Sequence, residues 1–197
     1  MASRCCFFQE NTADGQLAFP LVTSFAVAGV TTASLLIAVA AVAAFLAHEP
    51  LLVLLGRRGT RAKREERSRA VAWLAMTGTM AAGAGFVGFW SLSPDTRWSL
   101  ALPLLSAIFV AVAIIAEREK SAAAEVAVAS AFSLLAVPIC LAANASLSAA
   151  LAVGIAFALV FVVGTLAARV IVLRVRGGGD PRAARSTRMT VLVLTGA

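Results

Sequence analysis

Four ionisable side chains lie inside apolar runs, where a charge is expensive: His48, Glu49, Glu125 and Arg169. A charged group within a membrane span costs at least ~2.5 kcal/mol, which favours pairing or a wet cavity. Pro50 follows the His48-Glu49 pair directly and has no N–H for the carbonyl one turn earlier. That freed carbonyl adds an acceptor beside the two ionisable groups. Counted along helices, all four residues fall at a similar depth, about a turn or two from a charged loop. We therefore expect them to share an intramembrane polar pocket in which Arg169 is the counter-ion of Glu49 or Glu125.

A second cluster follows at once. Arg57, Arg58, Arg61, Lys63 and Arg64 sit in the segment GRRGTRAKRE with Gly56 and Gly59. Arginine forks match the oxygens of phosphate or carboxylate, so these residues are expected to meet anionic headgroups or a phosphate. The segment is not a P-loop, which needs a Lys-Ser/Thr ending after a strand. With one His in the chain, a His cluster and an HExxH zinc motif are excluded, and no nucleophile elbow accompanies His48. Cys5, Cys6 and Cys140 lack metal-ligand spacing. No metal site is expected from these residues, and they leave the cofactor unknown.

The elements that must position these groups are membrane helices. The 197 residues are 60% hydrophobic and 14% charged, with no Tyr. Apolar runs near twenty residues recur, and none alternates as barrel strands do. The fold class is all-α, a polytopic transmembrane bundle of about six spans plus a partial seventh. Expected helices lie near Leu17–Val30, Ala33–Leu55, Ala70–Trp90 and Trp98–Ala116, then from Ser121 to about Ala143, with a sixth ending near Leu173. Gly29, Thr31 and Thr32 supply the first turn, Ser121 an N-cap, and Pro138 a kink. Ala81/Gly85 and Ala84/Gly88 have the small-xxx-small spacing that lets helix backbones approach.

Residues 1–14 read as a flexible N-terminus, 15–173 as the membrane domain, and 174–197 as a basic tail with the start of a further helix. Met189 to Ala197 is too short to cross a bilayer, so it is expected to be a truncated span or a surface segment.

The net charge is +7, and Arg97 alone of 17 Lys and Arg residues falls on the opposite side of the predicted spans. The positive-inside rule then puts the N-terminus and the basic loops in the cytoplasm. Basic residues in short loops beside spans point to anionic headgroups as partners, not nucleic acid.

The segment HEPLLVLLGRRGTRAKRE resembles the YwiC-like family of bacterial membrane proteins, as do GQLAFP at Gly15–Pro20, the region of Glu125, and TLAARVIV at Thr165–Val172. The resemblance runs from Gly15 to about Arg176, and implies a multi-pass protein of the bacterial inner membrane. The family pattern has a His before the first Gly, where this chain has Asp14. The architecture is distantly similar to UbiA-type prenyltransferases, whose Asp-rich motifs hold magnesium and a polyprenyl diphosphate. Those motifs do not occur here, although Glu117, Glu119 and Glu125 lie on the same side. Three functions follow in order: binding of an anionic lipid or small amphiphile, prenyl transfer with magnesium, and small-molecule transport.

Overall fold

The structure, a computed structural model, describes the backbone of residues 4–115 and 122–176. Eight α-helices are present among them: α1 (Arg4–Ala28), α2 (Thr32–Leu54), α3 (Thr60–Glu65), α4 (Arg67–Ser91), α5 (Ala101–Ile115), α6 (Ala122–Leu134), α7 (Ala136–Ala142) and α8 (Leu147–Arg176). A 3-10 segment, Pro94–Leu100, leads into α5. No strand occurs among the described residues, and the chain is an all-α bundle. The expected N-cap Ser121, the charged run Glu117–Lys120 and the tail beyond residue 176 lie outside the described residues, as do the side chains of Cys5 and Cys6.

Among the described residues, four helices are long and apolar enough to cross a membrane: Thr32–Leu54, Arg67–Ser91, Pro94–Val112 and Leu147–Ala168. Leu17–Ala28 and Val126–Ala142 are shorter apolar helices. The outer surface carries large apolar side chains that water would not tolerate in such number, among them Phe19, Val22, Phe86, Leu105, Ile108 and Val160, all more than half exposed. The bundle is a polytopic membrane protein.

Helix boundaries follow local chemistry. The turn after α1 uses Gly29 at φ +82°, a left-handed conformation that costs glycine nothing. Thr31 then caps α2: its hydroxyl accepts from the Ser34 N–H at 3.2 Å, and the Ser34 hydroxyl accepts from the Thr31 N–H at 2.9 Å. The described part of α1 is helical from Arg4, well ahead of its apolar run, and contains no proline before Pro20. The fifth expected span is interrupted at one residue, Leu135, which keeps helical angles of φ −61° and ψ −26° and donates its N–H to Ala131 O at 3.2 Å, so α6 runs on into α7 with the irregularity beside Pro138. Pro138 has no N–H for the carbonyl of Leu134, so the helix yields one turn before the ring.

The centre of the bundle is α7. Ala136, Val137, Ile139 and Cys140 are fully buried, and Pro138 is nearly so. A helix apolar on every side belongs in such a core. Leu17 and Leu21 of α1, Ile37 and Ala38 of α2, and Leu92 pack around Leu135 and Ile139. Lipid tails are as apolar as these side chains, so close packing rather than escape from water holds the helices together.

The most extensive packing joins α2 to α4. A methyl at Gly88 would meet Ile37 Cγ1 at 3.2 Å and the Ile37 nitrogen at 3.4 Å, and one at Gly85 would meet the Ala40 methyl at 3.6 Å. The small-residue face thus packs as expected: Ala81, Ala84, Gly85 and Gly88 turn inward while Ala82, Gly83 and Phe86 face out. A comparable approach occurs at Gly154 of α8, where a methyl would lie 2.9 Å from Val137 Cγ2.

Candidate functional site

The hairpin of α2 and α4 carries its basic loop at one end, and the geometry there starts with the end of α2. Leu55 is the C-cap and Gly56 follows at φ +79°. The Arg57 N–H donates to Leu52 O at 2.9 Å, and the Gly56 N–H to Val53 O at 3.0 Å. This is the Schellman arrangement, in which a left-handed glycine satisfies the last helical carbonyls. It reverses the chain and carries Arg58 back over the helix it has just left.

Arg58 lands on Glu49. Its Nε donates to Oε2 at 3.2 Å and its Nη2 to Oε1, so the guanidinium fork meets both carboxylate oxygens. Both side chains remain about half exposed, at 53% and 56%. The pair therefore lies at the rim of the bundle, not in its interior. Glu49 has its partner on the adjoining loop. The side chains of Glu125 and Arg169 lie outside the described residues, and His48 is partly buried.

The remaining loop is more ordered than a plain linker. Gly59 takes φ +100°, and α3 then turns once and a half through TRAKRE. Within it Arg61 Nε donates to Glu65 Oε1 at 2.8 Å, an i,i+4 pair on a highly exposed face. Lys63 and Arg64 are exposed, and the Lys63 stem reaches back toward Gly56. Of the five basic residues expected to meet anions, Arg58 and Arg61 thus hold carboxylates, Lys63 and Arg64 face outward, and Arg57 is partly buried.

Beneath the loop, α2 and α4 enclose a groove of about 310 Å³. One wall is Leu46, Glu49, Pro50 and Val53 of α2, and the other is Ala70 and Trp73 of α4, with Glu66 and Arg69 at the mouth. Leu46 is the residue whose carbonyl Pro50 deprives of a donor. The walls are apolar and the mouth is charged with both signs. Leu46, Val53, Glu66, Arg69 and Trp73 were not among the sequence candidates. Their membership follows from the antiparallel register of α2 against α4, which the spacing of either helix alone does not contain.

The opposite end of the bundle holds a second cavity, of about 520 Å³, that sequence reasoning did not anticipate. It forms where the α1–α2 turn, the end of α4 and the α7–α8 turn meet. Thr31 ties two of these together, because its hydroxyl donates to Ala142 O at 2.9 Å. Asn144 ends α7 at φ +63°, with the Ala145 N–H bonded to Cys140 O and the Asn144 N–H to Leu141 O, each at 3.0 Å. Nearby, Arg97 donates to Leu92 O at 3.3 Å and stands 5.0 Å over the Phe89 ring and 5.1 Å over that of Trp90. The cation opposite the basic loops is thereby held by aromatic faces and backbone carbonyls.

Among the described residues no three His, Cys, Asp or Glu side chains come together as metal ligands. Glu117, Glu119 and Glu125, the acidic side chains on which the magnesium reading rests, lie outside them.

Apolar helices wrapped about a buried α7, with a charged groove under one loop, define a polytopic α-helical membrane protein. More narrowly, the chain belongs to the YwiC-like protein family, whose match covers residues 13–140. The matched region contains the groove, the basic loop and the first five residues of the buried α7. No curated protein and no solved structure matches the chain.

Proposed function

We propose that this YwiC-like protein spans the bacterial inner membrane with its basic loop in the cytoplasm, and binds an anionic amphiphile in the α2–α4 groove. The supporting observation is the groove itself: Leu46, Val53 and Trp73 offer apolar walls directly beneath Arg69 and the basic loop. An acyl or isoprenoid tail lies along Trp73, and the anionic head meets the exposed Lys63, Arg64 and Arg69. Glu49 keeps Arg58 in place at the rim and, with Glu66, disfavours a head of high negative charge. The cytoplasmic assignment rests on the positive-inside rule, since Arg97 alone of the placed Lys and Arg residues lies at the other end.

The test is fluorescence quenching in liposomes, using a W90F/W98F variant so that Trp73 alone reports. Brominated phosphatidylglycerol is expected to quench Trp73 more strongly than brominated phosphatidylcholine. A basic side chain near an anionic surface contributes about 1 kcal/mol. Arg64→Gln should therefore weaken the preference about fivefold. Equal quenching by both lipids would discard the proposal.

A further inference from the structure

The geometry points to a second binding site, for an uncharged polyhydroxylated group, in the cavity at the end of the bundle away from the basic loop. Its volume, about 520 Å³, falls within the range of small-ligand sites. Its floor is buried and apolar, made by Ala33, Leu92 and Leu141. Its rim carries Thr32, Ser91, Ser93 and Asn144. Among the described residues no ionisable side chain lines it.

These rim groups differ in how far the fold uses them. Ser91 donates to Val87 O at 2.7 Å, and Ser93 shares a bond of 2.8 Å with Thr96, so their oxygens keep acceptor capacity. The Thr32 hydroxyl and the Asn144 amide make no hydrogen bond among the described residues. Together they offer donors and acceptors without charge, above a greasy floor. A sugar or cyclitol ring has matching chemistry, with hydroxyls at its edge and C–H groups on its face. The positive end of the α2 dipole also faces this region, so an anion is the competitor to be tested.

The site is also built to hold its shape. The Thr31–Ala142 bond and the left-handed Asn144 fix two of its three walls independently of Thr32 and of the Asn144 side chain. This separates binding from folding. Thr32→Val removes the free hydroxyl and leaves the Thr31–Ser34 capping box intact. Asn144→Gly removes the amide and keeps a residue suited to positive φ.

The experiment uses the full chain in nanodiscs with Trp73→Phe, so that Trp90 and Trp98 report from the cavity end. Glucose and myo-inositol are titrated as free solutes, inorganic phosphate in parallel. A separate set of nanodiscs contains monoglucosyl-diacylglycerol, or diacylglycerol without the sugar. A saturable fluorescence change is expected with the free rings or with the glucosyl lipid. Response to the former assigns a solute and response to the latter a lipid headgroup. Thr32→Val and Asn144→Gly should each weaken it about fivefold with an unchanged thermal midpoint. The inference is overturned if neither source gives a saturable change, if both variants bind as the parent does, or if phosphate binds more tightly than glucose.

Discussion

Arg58 folds back across nine residues to grip Glu49 with two N–H groups, closing the basic loop onto the last turns of α2. The contact joins a loop to a helix, so its formation constrains chain geometry more than the Arg61–Glu65 pair within α3 does. Exposed ion pairs contribute about 0.2–1 kcal/mol, and i,i+4 pairs about 0.3–0.5 kcal/mol. The bidentate pair belongs at the upper end of that range.

A double-mutant cycle checks this ranking. Glu49→Gln with Arg58→Gln should show a coupling of about 0.5–1 kcal/mol in detergent unfolding. Arg61→Gln with Glu65→Gln should show less. High salt should shrink both. A coupling at Glu49–Arg58 below that of the α3 pair contradicts the fork geometry.

The α2–α4 contact predicts a graded glycine series. Gly88→Ala sets a methyl 3.2 Å from Ile37 Cγ1 and 3.4 Å from its backbone nitrogen, and should cost about 1 kcal/mol. Gly83→Ala meets nothing within 4 Å and should be neutral or stabilising, by up to about 1 kcal/mol. Thermal midpoints in one detergent decide between them. Equal midpoints for the two variants would mean that the helices are not closely packed there.

A relief experiment tests α7 against α8. Gly154→Ala places a methyl 2.9 Å from Val137 Cγ2 and should destabilise. Val137→Ala alone also destabilises, by emptying buried space of a fully buried side chain. Combined, the two should be less harmful than the sum of their separate effects. Simple additivity refutes the contact.

Capping at Thr31 links two ends of the chain. Thr31→Val removes both the cap of α2 and the donor to Ala142 O, with an expected loss of about 1–2 kcal/mol. Thr32→Val, one residue on, should leave the midpoint unchanged. The same midpoint for both variants would show that the Thr31 bonds contribute nothing.

Topology follows from the charge distribution. Reporters inserted in the loop 57–69 should read cytoplasmic, and those at 93–95 periplasmic. The reverse pattern would invert the proposed orientation and move the groove to the other face of the membrane.

Much of this architecture was legible from residues acting locally. Hydropathy located the apolar helices, Gly29 and Thr31 marked the first turn, and the spacing of Ala81, Ala84, Gly85 and Gly88 defined a packing face. Gly56 after LLVLL could also have been read as a left-handed helix end, which would have turned Arg58 toward α2. The groove was harder to foresee, because Glu49 comes to line one groove with Trp73 and Arg69 only through the register of two helices. The second cavity was harder still: Thr32, Ser91 and Asn144 come from three separate turns. Pro138 was legible as a source of irregularity, and its effect falls three residues earlier, at Leu135.

The close approach at Gly88 has a mechanical consequence. About 15 residues separate Gly88 from Trp73 along α4, an arm of roughly 22 Å at 1.5 Å per residue. Pivoting α4 by about 3° on the Ile37 contact therefore carries Trp73 through about 1 Å, while the pivot itself hardly shifts. The hairpin is thus pinned near Gly88, while at its far end the Arg58–Glu49 pair fastens the loop to α2 and leaves α4 untied by that contact.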